Sequence, residues 1–229
     1  MDGNGRWAQQ RGLSRIKGHE AGVESIRSVV RACGELGLEY LTLYAFSVEN
    51  WSRPRAEVGA LMRLLVYFLG KEVKELDQNN VRLRVIGRVA GLSANVQKAI
   101  ARAEAQTADN TGLTLVLALN YGGRTEILDA VKALAADLLK GRVLPKDVDE
   151  KIFSQYLYTR DIPDPELLIR TSGEMRISNF LLWQVSYTEM WITKLLWPEF
   201  RKEHLLMALE DYRKRQRRFG GVQVKEGVA

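Results

Sequence analysis

Short apolar runs alternate with longer helical patterns along the whole chain. Strand character is found in five runs, at positions 39–46, 81–87, 113–120, 166–170 and 187–192. Helical periodicity covers 21–36, 55–79, 93–108, 124–140, 149–159 and 202–217. Strands that alternate with helices form parallel sheets covered on both faces. We therefore expect one α/β domain over residues 1–229, with a central, mostly parallel sheet flanked by helices.

The helical pattern at 55–79 has an unusually broad apolar stripe. Its members are Val58, Leu61, Met62, Leu64, Leu65, Phe68 and Leu69. Packing of this helix on the sheet is a sufficient explanation of the stripe. A second interpretation is that part of the stripe lines an apolar cavity.

Composition and charge narrow the class of protein without choosing a function. The 229 residues are 46% hydrophobic and 27% charged, which is ordinary for a globular protein, and the formal net charge is +6. A basic balance suits anionic partners such as phosphorylated molecules, nucleic acid or an acidic membrane surface. No apolar run is long enough to span a membrane, and no signal peptide is evident. The single cysteine, Cys33, lies in a helical pattern and is expected to be a buried, reduced thiol, which fits a cytoplasmic protein.

Polar, glycine-rich and arginine-containing segments follow the predicted strands. SVENWSR follows the run at 39–46, NYGGR the run at 113–120, and RTSGEMR the run at 166–170. Ligands of open α/β sheets bind beyond the carboxyl ends of the strands. The convergence of these segments at one edge predicts a site that handles phosphate.

The N-terminal DGNGR is a candidate phosphate-binding turn, but it matches neither a Walker loop nor GxGxxG. Taken alone, it is a weak signal that favours a plain turn. Such a turn ordinarily follows a buried strand, so we expect a first strand that ends at Met1 and is missing from this sequence. Arg6, Arg15 and His19 follow closely enough to converge on one anion.

RTSGEMRIS is a second candidate, because Arg170 and Arg176 flank a Ser-Gly turn and Ser178 adds a hydroxyl. The planar guanidinium group fits the oxygens of a diphosphate. Solvated arginines on a surface loop are the alternative interpretation.

Few carboxylates lie near the predicted strand ends, and Asp2 is the one beside the N-terminal turn. A carboxylate about 4 Å from a phosphate would be repelled by about 4 kcal/mol at an effective dielectric constant of 20. Mg²⁺ between the two groups would remove that repulsion, because this ion takes carboxylate and phosphate oxygens together. Asp2 is therefore predicted to be a metal ligand rather than a general base.

Six motifs, in this order, resemble those of the cis-prenyltransferases: MDGNGRWA, GHEAG, LYAFSVENWSRP, NYGGR, RTSGEMRISNFLLWQ and RRFGG. The resemblance runs from Met1 to about Gly221. It implies a homodimeric enzyme that condenses isopentenyl diphosphate repeatedly onto an allylic diphosphate such as farnesyl diphosphate. The implied product is a long-chain polyprenyl diphosphate, such as the undecaprenyl diphosphate that serves as a cell-wall lipid carrier. The implied location is the cytoplasm, with peripheral contact with the membrane surface.

The resemblance also implies roles for individual residues. Catalysis is assigned to Asp2 and Asn50, and Mg²⁺ to Asp2 and Glu189. Binding of the allylic substrate is assigned to Gly3, Asn4, Gly5, Arg6, Trp7, Arg15, His19, Ser47, Trp51 and Arg53. Binding of isopentenyl diphosphate is assigned to Arg170, Arg176, Ser178, Arg218 and Gly220, the last two in a C-terminal segment, 218–229, that is either flexible or in contact with the dimer partner. An apolar tunnel for the growing chain is implied along Ala45, Leu61, Leu65 and Leu113.

Two other classes of function share some of these features. A non-catalytic partner subunit of a heteromeric cis-prenyltransferase would share the fold but tends to lose the metal-binding aspartate and the substrate arginines, which this chain keeps. A nucleic-acid-binding domain is supported only by the basic charge, since interleaved aromatic residues and a known binding motif are missing. We expect no nucleic-acid partner.

Overall fold

The computed structural model describes residues 1–215 as a single α/β domain in which every strand pair is parallel. The strands are β1 (Tyr40–Ser47), β2 (Arg82–Ile86), β3 (Thr114–Tyr121), β4 (Leu167–Arg170) and β5 (Glu189–Ile192). The helices are α1 (Asn4–Gln9), α2 (Arg15–Glu35), α3 (Arg55–Gln78), α4 (Ala94–Gln106), α5 (Gly123–Leu139), α6 (Glu150–Ser154) and α7 (Lys202–Arg213). The predicted parallel α/β architecture is confirmed.

The sheet is formed in two pieces. β3 lies between β1 and β2, and the register pairs Leu115 with both Leu41 and Leu83. β4 and β5 form a separate parallel pair in which Leu167 lies opposite Glu189 and Arg170 opposite Ile192.

β3 is the buried centre of the larger piece, because its near-continuous apolar sequence suits a strand covered on both faces. Its alternate residues Leu115, Leu117 and Leu119 pack into the main core with α2, α3 and α4. Val116 and Ala118 point to the opposite face, into a smaller aromatic core. The cavity described below lies on the α2–α3 side of this sheet.

The helices differ from the sequence prediction mainly at their ends. α2 begins at Arg15 rather than at residue 21, and α6 ends at Ser154 rather than at residue 159. The N-terminal GNGR segment was predicted to be a turn, but α1 begins at Asn4 immediately after Gly3, whose φ is +103°. The prediction was wrong because the two glycines obscured a helix that α2 stabilises by packing against it.

None of the helices within residues 1–215 is long and apolar enough to cross a membrane.

Candidate functional site

A cavity of about 270 Å³ lies between α2, α3 and the carboxyl ends of β1 and β3. Its polar end is lined by the N-terminal segment together with Arg15, His19, Asn50 and Arg53. Its remaining wall is apolar, with Val23, Ile26, Ala45, Phe46, Leu61, Met62, Leu64, Leu65, Phe68, Leu117 and Leu119. The cavity therefore joins a cationic mouth to a hydrocarbon-like interior.

Backbone contacts fix the N-terminal segment at the mouth of this cavity. The Asp2 amide donates to Thr171 Oγ1 at 3.0 Å, and the Thr171 hydroxyl donates to the Asp2 carbonyl at 2.8 Å. The Trp197 amide donates to the same carbonyl at 2.9 Å. Gly3 is required next to it, because a Cβ there would lie 2.4 Å from Ser172 Oγ and 2.9 Å from Leu196. The N-terminal segment therefore lies beside the carboxyl end of β4 in space, although the two are far apart in sequence.

The Asp2 carboxylate lies between two guanidinium groups. Oδ1 accepts from the Gly3 amide at 2.7 Å and lies 3.3 Å from Arg6 Nη2, and Oδ2 accepts from Arg170 Nη2 at 3.2 Å. Burial opposes the charge, but the Arg170 bond and the Arg6 charge outweigh it and hold the pKa of Asp2 below its usual value. Asp2 is therefore an anion at neutral pH and is available to a cation.

Glu174 joins the two arginine groups that were predicted from the sequence as separate sites. Its Oε1 lies 3.0 Å from Arg6 Nη1, and its Oε2 pairs with Arg176 Nη1. Arg170 in turn donates to Ser178 Oγ at 2.9 Å and to the Arg176 carbonyl. Arg176, Glu174, Arg6, Asp2 and Arg170 thus form a continuous series of alternating charges across the mouth. Glu174 lies inside the RTSGEMR motif, but the local sequence does not indicate that it bridges the two arginine groups.

Glu57, in the first turn of α3, gathers the other cations at the mouth. Its carboxylate accepts from Arg15 Nε at 3.0 Å and from Arg53 Nη1 at 3.1 Å. His19 Nε2 is 3.5 Å away. Burial and the Arg53 charge lower the pKa of His19, an effect that Glu57 partly offsets. The sequence-based prediction did not include Glu57. Its position shortly after SRPR is the one feature of the sequence that points to this site.

Several buried polar atoms at the mouth have no hydrogen-bond partner among the described residues. They are Asn4 Oδ1, His19 Nε2, Arg170 Nε and Ser172 Oγ. Leaving such groups unpaired costs about 1–3 kcal/mol each. The last three can donate protons, so they suit the oxygens of an anionic ligand.

The segment between β1 and α3 forms one side of the mouth. Asn50 lines the cavity, and its Oδ1 accepts from the Ser47 amide at 3.2 Å. Trp51 donates from Nε1 to Asn120 Oδ1 at 2.7 Å and packs edge-on against Phe46. Ser47 and Trp51 flank the cavity without being among its lining residues.

Some predicted site residues are not brought to the cavity. Trp7 lies outside its lining and is covered by the Arg11 guanidinium, 4.3 Å from the ring centroid. Ala45, Leu61 and Leu65 line the cavity, whereas Leu113 is buried in the core before β3 begins. Arg218 and Gly220 lie outside the described residues.

Glu189 is not beside Asp2 within this chain. It begins β5 opposite Leu167, whereas Asp2 contacts Arg170, three positions along β4. Three residues of parallel strand span roughly 10 Å. The Glu189 carboxylate is paired instead with Arg215, at 2.8 Å. The sequence placed both acids near strand ends, but Glu189 is at the start of its strand and not at its end.

A metal site made wholly of protein ligands is not present in residues 1–215, where no three His, Cys, Asp or Glu side chains are grouped to hold an ion. Mg²⁺ commonly takes only one or two carboxylates and completes its shell with substrate phosphates and water. Asp2, half-exposed at the mouth, fits that pattern as a single protein ligand.

Comparison with known proteins identifies the family. Residues 1–220 match the family model described as "Putative undecaprenyl diphosphate synthase". The isoprenyl transferase of Heliobacterium mobile is 54% identical over 98% of this chain and 86% of its own length, and that of Clostridium perfringens is 52% identical over 97% and 88%.

Two solved structures support the same family assignment. Lavandulyl diphosphate synthase from Lavandula x intermedia, in complex with dimethylallyl diphosphate, is 40% identical, with a TM-score of 0.93 over 96% of this chain and 95% of that one. A probable undecaprenyl diphosphate synthase from Campylobacter jejuni is 33% identical, with a TM-score of 0.78 over 88% and 92%. The chain therefore belongs to the undecaprenyl diphosphate synthase family of prenyltransferases.

Proposed function

We propose that this prenyltransferase condenses isopentenyl diphosphate repeatedly onto an allylic diphosphate, with farnesyl diphosphate as the starter, and releases a long-chain polyprenyl diphosphate. The observation that supports this most is the position of the Asp2–arginine series at the mouth of an apolar cavity. An ionic head and a hydrocarbon tail in one substrate require such an arrangement.

The allylic diphosphate is assigned to the α1 end of the mouth. Arg6, Arg15 and His19 line the cavity there, and the amides of Asn4, Gly5 and Arg6 begin a helix and have no intrahelical acceptor. Gly5 keeps this space open, because a Cβ would lie 2.7 Å from the Arg15 guanidinium. The relative that is in complex with dimethylallyl diphosphate supports an allylic diphosphate as ligand.

Isopentenyl diphosphate is assigned to Arg170, Arg176 and Ser178. The contact of Arg170 with Asp2 brings this group next to the allylic end. Glu174 and Asp2 neutralise these arginines before substrates arrive, and two diphosphates would take over that role. The two substrates would then lie side by side.

The reaction begins when the bond between the allylic carbon and the diphosphate oxygen breaks, leaving positive charge on carbon. The alkene of isopentenyl diphosphate attacks that carbon and forms the new carbon–carbon bond. A proton then passes from the adjacent methylene to the released diphosphate, which leaves the new double bond. Arginines directed at the departing diphosphate stabilise its developing charge. The apolar wall excludes water from the cationic carbon. We assign the orientation of the attacking alkene to Asn50, which lines the cavity.

Mg²⁺ is the cofactor that we propose, held by Asp2 and the substrate diphosphate. When bound, the ion would act as a Lewis acid on the diphosphate oxygens. The anionic state of Asp2, maintained by Arg170 and Arg6, is what this chain supplies. Within one chain, Glu189 is too far from Asp2 to bind the same ion. It could contribute to this metal site only in a different arrangement.

A homodimer at the cytoplasmic face of a membrane completes the proposal, with the product serving as a cell-wall lipid carrier. An exposed apolar stripe on α5 supports dimerisation: Leu128, Val131 and Leu139 are 58%, 48% and 91% exposed. Exposed apolar residues that share one helix face are a common feature of protein–protein interfaces.

The alternative of a non-catalytic partner subunit is not favoured, because Asp2, Arg6, Arg170 and Arg176 are all present and converge.

The test is incubation of the full-length protein with labelled isopentenyl diphosphate, farnesyl diphosphate and Mg²⁺, followed by sizing of the products. We expect polyprenyl products that disappear when the metal is chelated. Asp2→Ala should reduce turnover by at least a hundredfold while retaining the melting temperature, and Asp147→Ala, which changes an exposed carboxylate, should behave like the unmodified protein. If the unmodified protein makes no product, the proposed prenyltransferase activity is refuted. If Asp2→Ala is fully active, the proposed binding of Mg²⁺ by Asp2 is refuted.

A further inference from the structure

Three arginine–glutamate pairs join α2 to α3. They are Arg15–Glu57, Arg27–Glu72 and Arg31–Glu75, with sequence separations of 42, 45 and 44 residues. Nearly constant separations mean that the two helices run side by side in the same direction. Glu57 also lies 3.5 Å from His19 of α2, and beyond that contact no ion pair of the described residues joins the two helices until Arg27–Glu72.

The cavity occupies that unjoined stretch. α2 contributes His19, Gly22, Val23 and Ile26 to its lining, and α3 contributes residues from Leu61 to Phe68. Arg27 follows Ile26 directly, and Glu72 lies one helical turn beyond Phe68. The Arg27–Glu72 pair, called the distal pair below, therefore lies at the end of the cavity opposite to Asp2.

The distal pair is well formed and shielded from water. Arg27 Nε is 3.0 Å from Glu72 Oε2, and Arg27 Nη2 is 2.5 Å from Oε1, so the contact is bidentate. The side chains are 24% and 7% exposed, against 60% and 40% for Arg31 and Glu75. Breaking a shielded pair costs more than breaking an exposed one. Of the two pairs beyond the cavity, the distal pair therefore holds the helices together more firmly.

The cavity is small for a long hydrocarbon. Its volume of about 270 Å³ is roughly twice that of an engineered 150 Å³ cavity that binds benzene. A chain of many isoprene units would have to extend past Ile26 and Phe68, the lining residues nearest in sequence to the distal pair, which itself lies outside the lining.

We propose that the distal pair limits how far the cavity opens between α2 and α3, and thereby sets the length of the prenyl chain that the protein accepts and releases. This inference rests on the proposed function and adds a residue pair that determines specificity. Neither side chain touches the reacting atoms.

The primary experiment measures product length with Arg27→Met, which keeps an apolar stem but cannot pair with Glu72. We expect the most abundant product to be longer than that of the unmodified protein by at least one isoprene unit. Arg27 also pairs with Glu24 on its own helix, so the charge-exchanged variant Arg27→Glu/Glu72→Arg is combined with Glu24→Gln and should then restore the original distribution. Arg27→Lys, which keeps the charge but loses the two-point contact, should give an intermediate shift and serves if Arg27→Met does not fold.

Arg31→Met is the matched control, because it removes a pair between the same helices that is exposed and one turn further from the cavity. It should leave product length unchanged. A purely structural role of the distal pair would lower the melting temperature without changing product length. An unchanged distribution in folded Arg27→Met and Arg27→Lys, or an equal shift in Arg31→Met, would overturn the proposal.

A binding measurement separates this proposal from the proposed function. Unreactive alkyl diphosphates, from shorter than farnesyl to several isoprene units longer, are titrated into the unmodified protein and Arg27→Met. We expect the ratio of long-chain to short-chain affinity to rise at least tenfold in the variant. An unchanged ratio overturns the role of the distal pair even if the protein makes no product, whereas a raised ratio without turnover refutes only the catalytic proposal.

Discussion

At the scale of single residues, Glu57 is the carboxylate that brings together three cationic or titratable side chains at the mouth of the cavity. It is 9% exposed and is contacted by Arg15, Arg53 and His19. Arginine forks that are held in one orientation lose less freedom when they bind a diphosphate. We therefore assign Glu57 a positioning role.

Glu57→Gln should raise KM for the allylic diphosphate roughly three- to tenfold, because a hydrogen bond to a charged group contributes about 1.5–3 kcal/mol and solvent screens part of it here. The effect on kcat should be smaller. The pKa of His19 should fall further, because Glu57 is the neighbour that raises it. Steady-state kinetics and NMR titration of His19 measure these changes. Glu20→Gln, which removes an exposed pair with Lys17 on α2, is the control; equal KM values for both variants would contradict the positioning role.

At the scale of elements, α5 has two faces of different character. Glu126, Ala130 and Leu134 are buried, whereas Leu128, Val131 and Leu139 form an apolar stripe in water. Helical periodicity separates the two faces because each residue advances the direction by about 100°. The stripe has the residue types of an interface rather than of a solvated face.

Val131→Glu should convert a dimer to a monomer, because it would place two like-charged carboxylates in an apolar contact. Sedimentation velocity or light scattering at micromolar concentration measures the change. Ala133→Glu adds the same charge on the same helix, at an exposed position away from the stripe, and should leave the dimer intact. A dimer that persists in Val131→Glu would exclude this stripe as the interface.

At the scale of the whole molecule, a buried carboxylate couples stability to pH. Glu126 is 1% exposed and accepts from the Tyr121 hydroxyl, Gln184 Nε2 and the Tyr158 amide at 2.5, 3.1 and 2.9 Å. Burial raises its pKa above 4.5, although these hydrogen bonds partly oppose the shift. The folded protein therefore keeps the Glu126 proton at pH values at which the unfolded chain has lost it.

The stability that this carboxyl contributes is present in full below its unfolded pKa and is lost as pH rises through the folded pKa. Glu126→Gln is neutral at every pH, so its free energy of unfolding should gain on that of the unmodified protein as pH rises from about 5. Urea denaturation across that range measures the difference. A difference that stays constant with pH would contradict the raised pKa.

The fold class and the chemical character of the site could both be predicted from the amino-acid sequence. Both follow from local rules: alternating apolar periods specify strands and helices, and the carboxyl ends of parallel strands must meet at one edge. Arg6, Arg15, Arg53 and Arg170 could thus be expected near one another, and Asp2 could be recognised as an anion among them. The helix after Gly3 was missed because glycine weakens the helical signal, and packing on α2 supplies what the local sequence lacks.

Only the tertiary structure decided which charges face each other. Glu57 binds Arg15, which is 42 residues away in sequence, and Arg170 binds Asp2, which is 168 residues away. The local sequence pattern predicts neither contact. The offset between α2 and α3 likewise places Arg27 opposite Glu72 at the distal end of the cavity, whereas strand register places Glu189 at the wrong end of β5 to reach Asp2. Sequence periodicity sets which face of an element is apolar, but the relative translation of two packed elements is set by the fit of all their side chains together, and that fit exists only in the folded molecule.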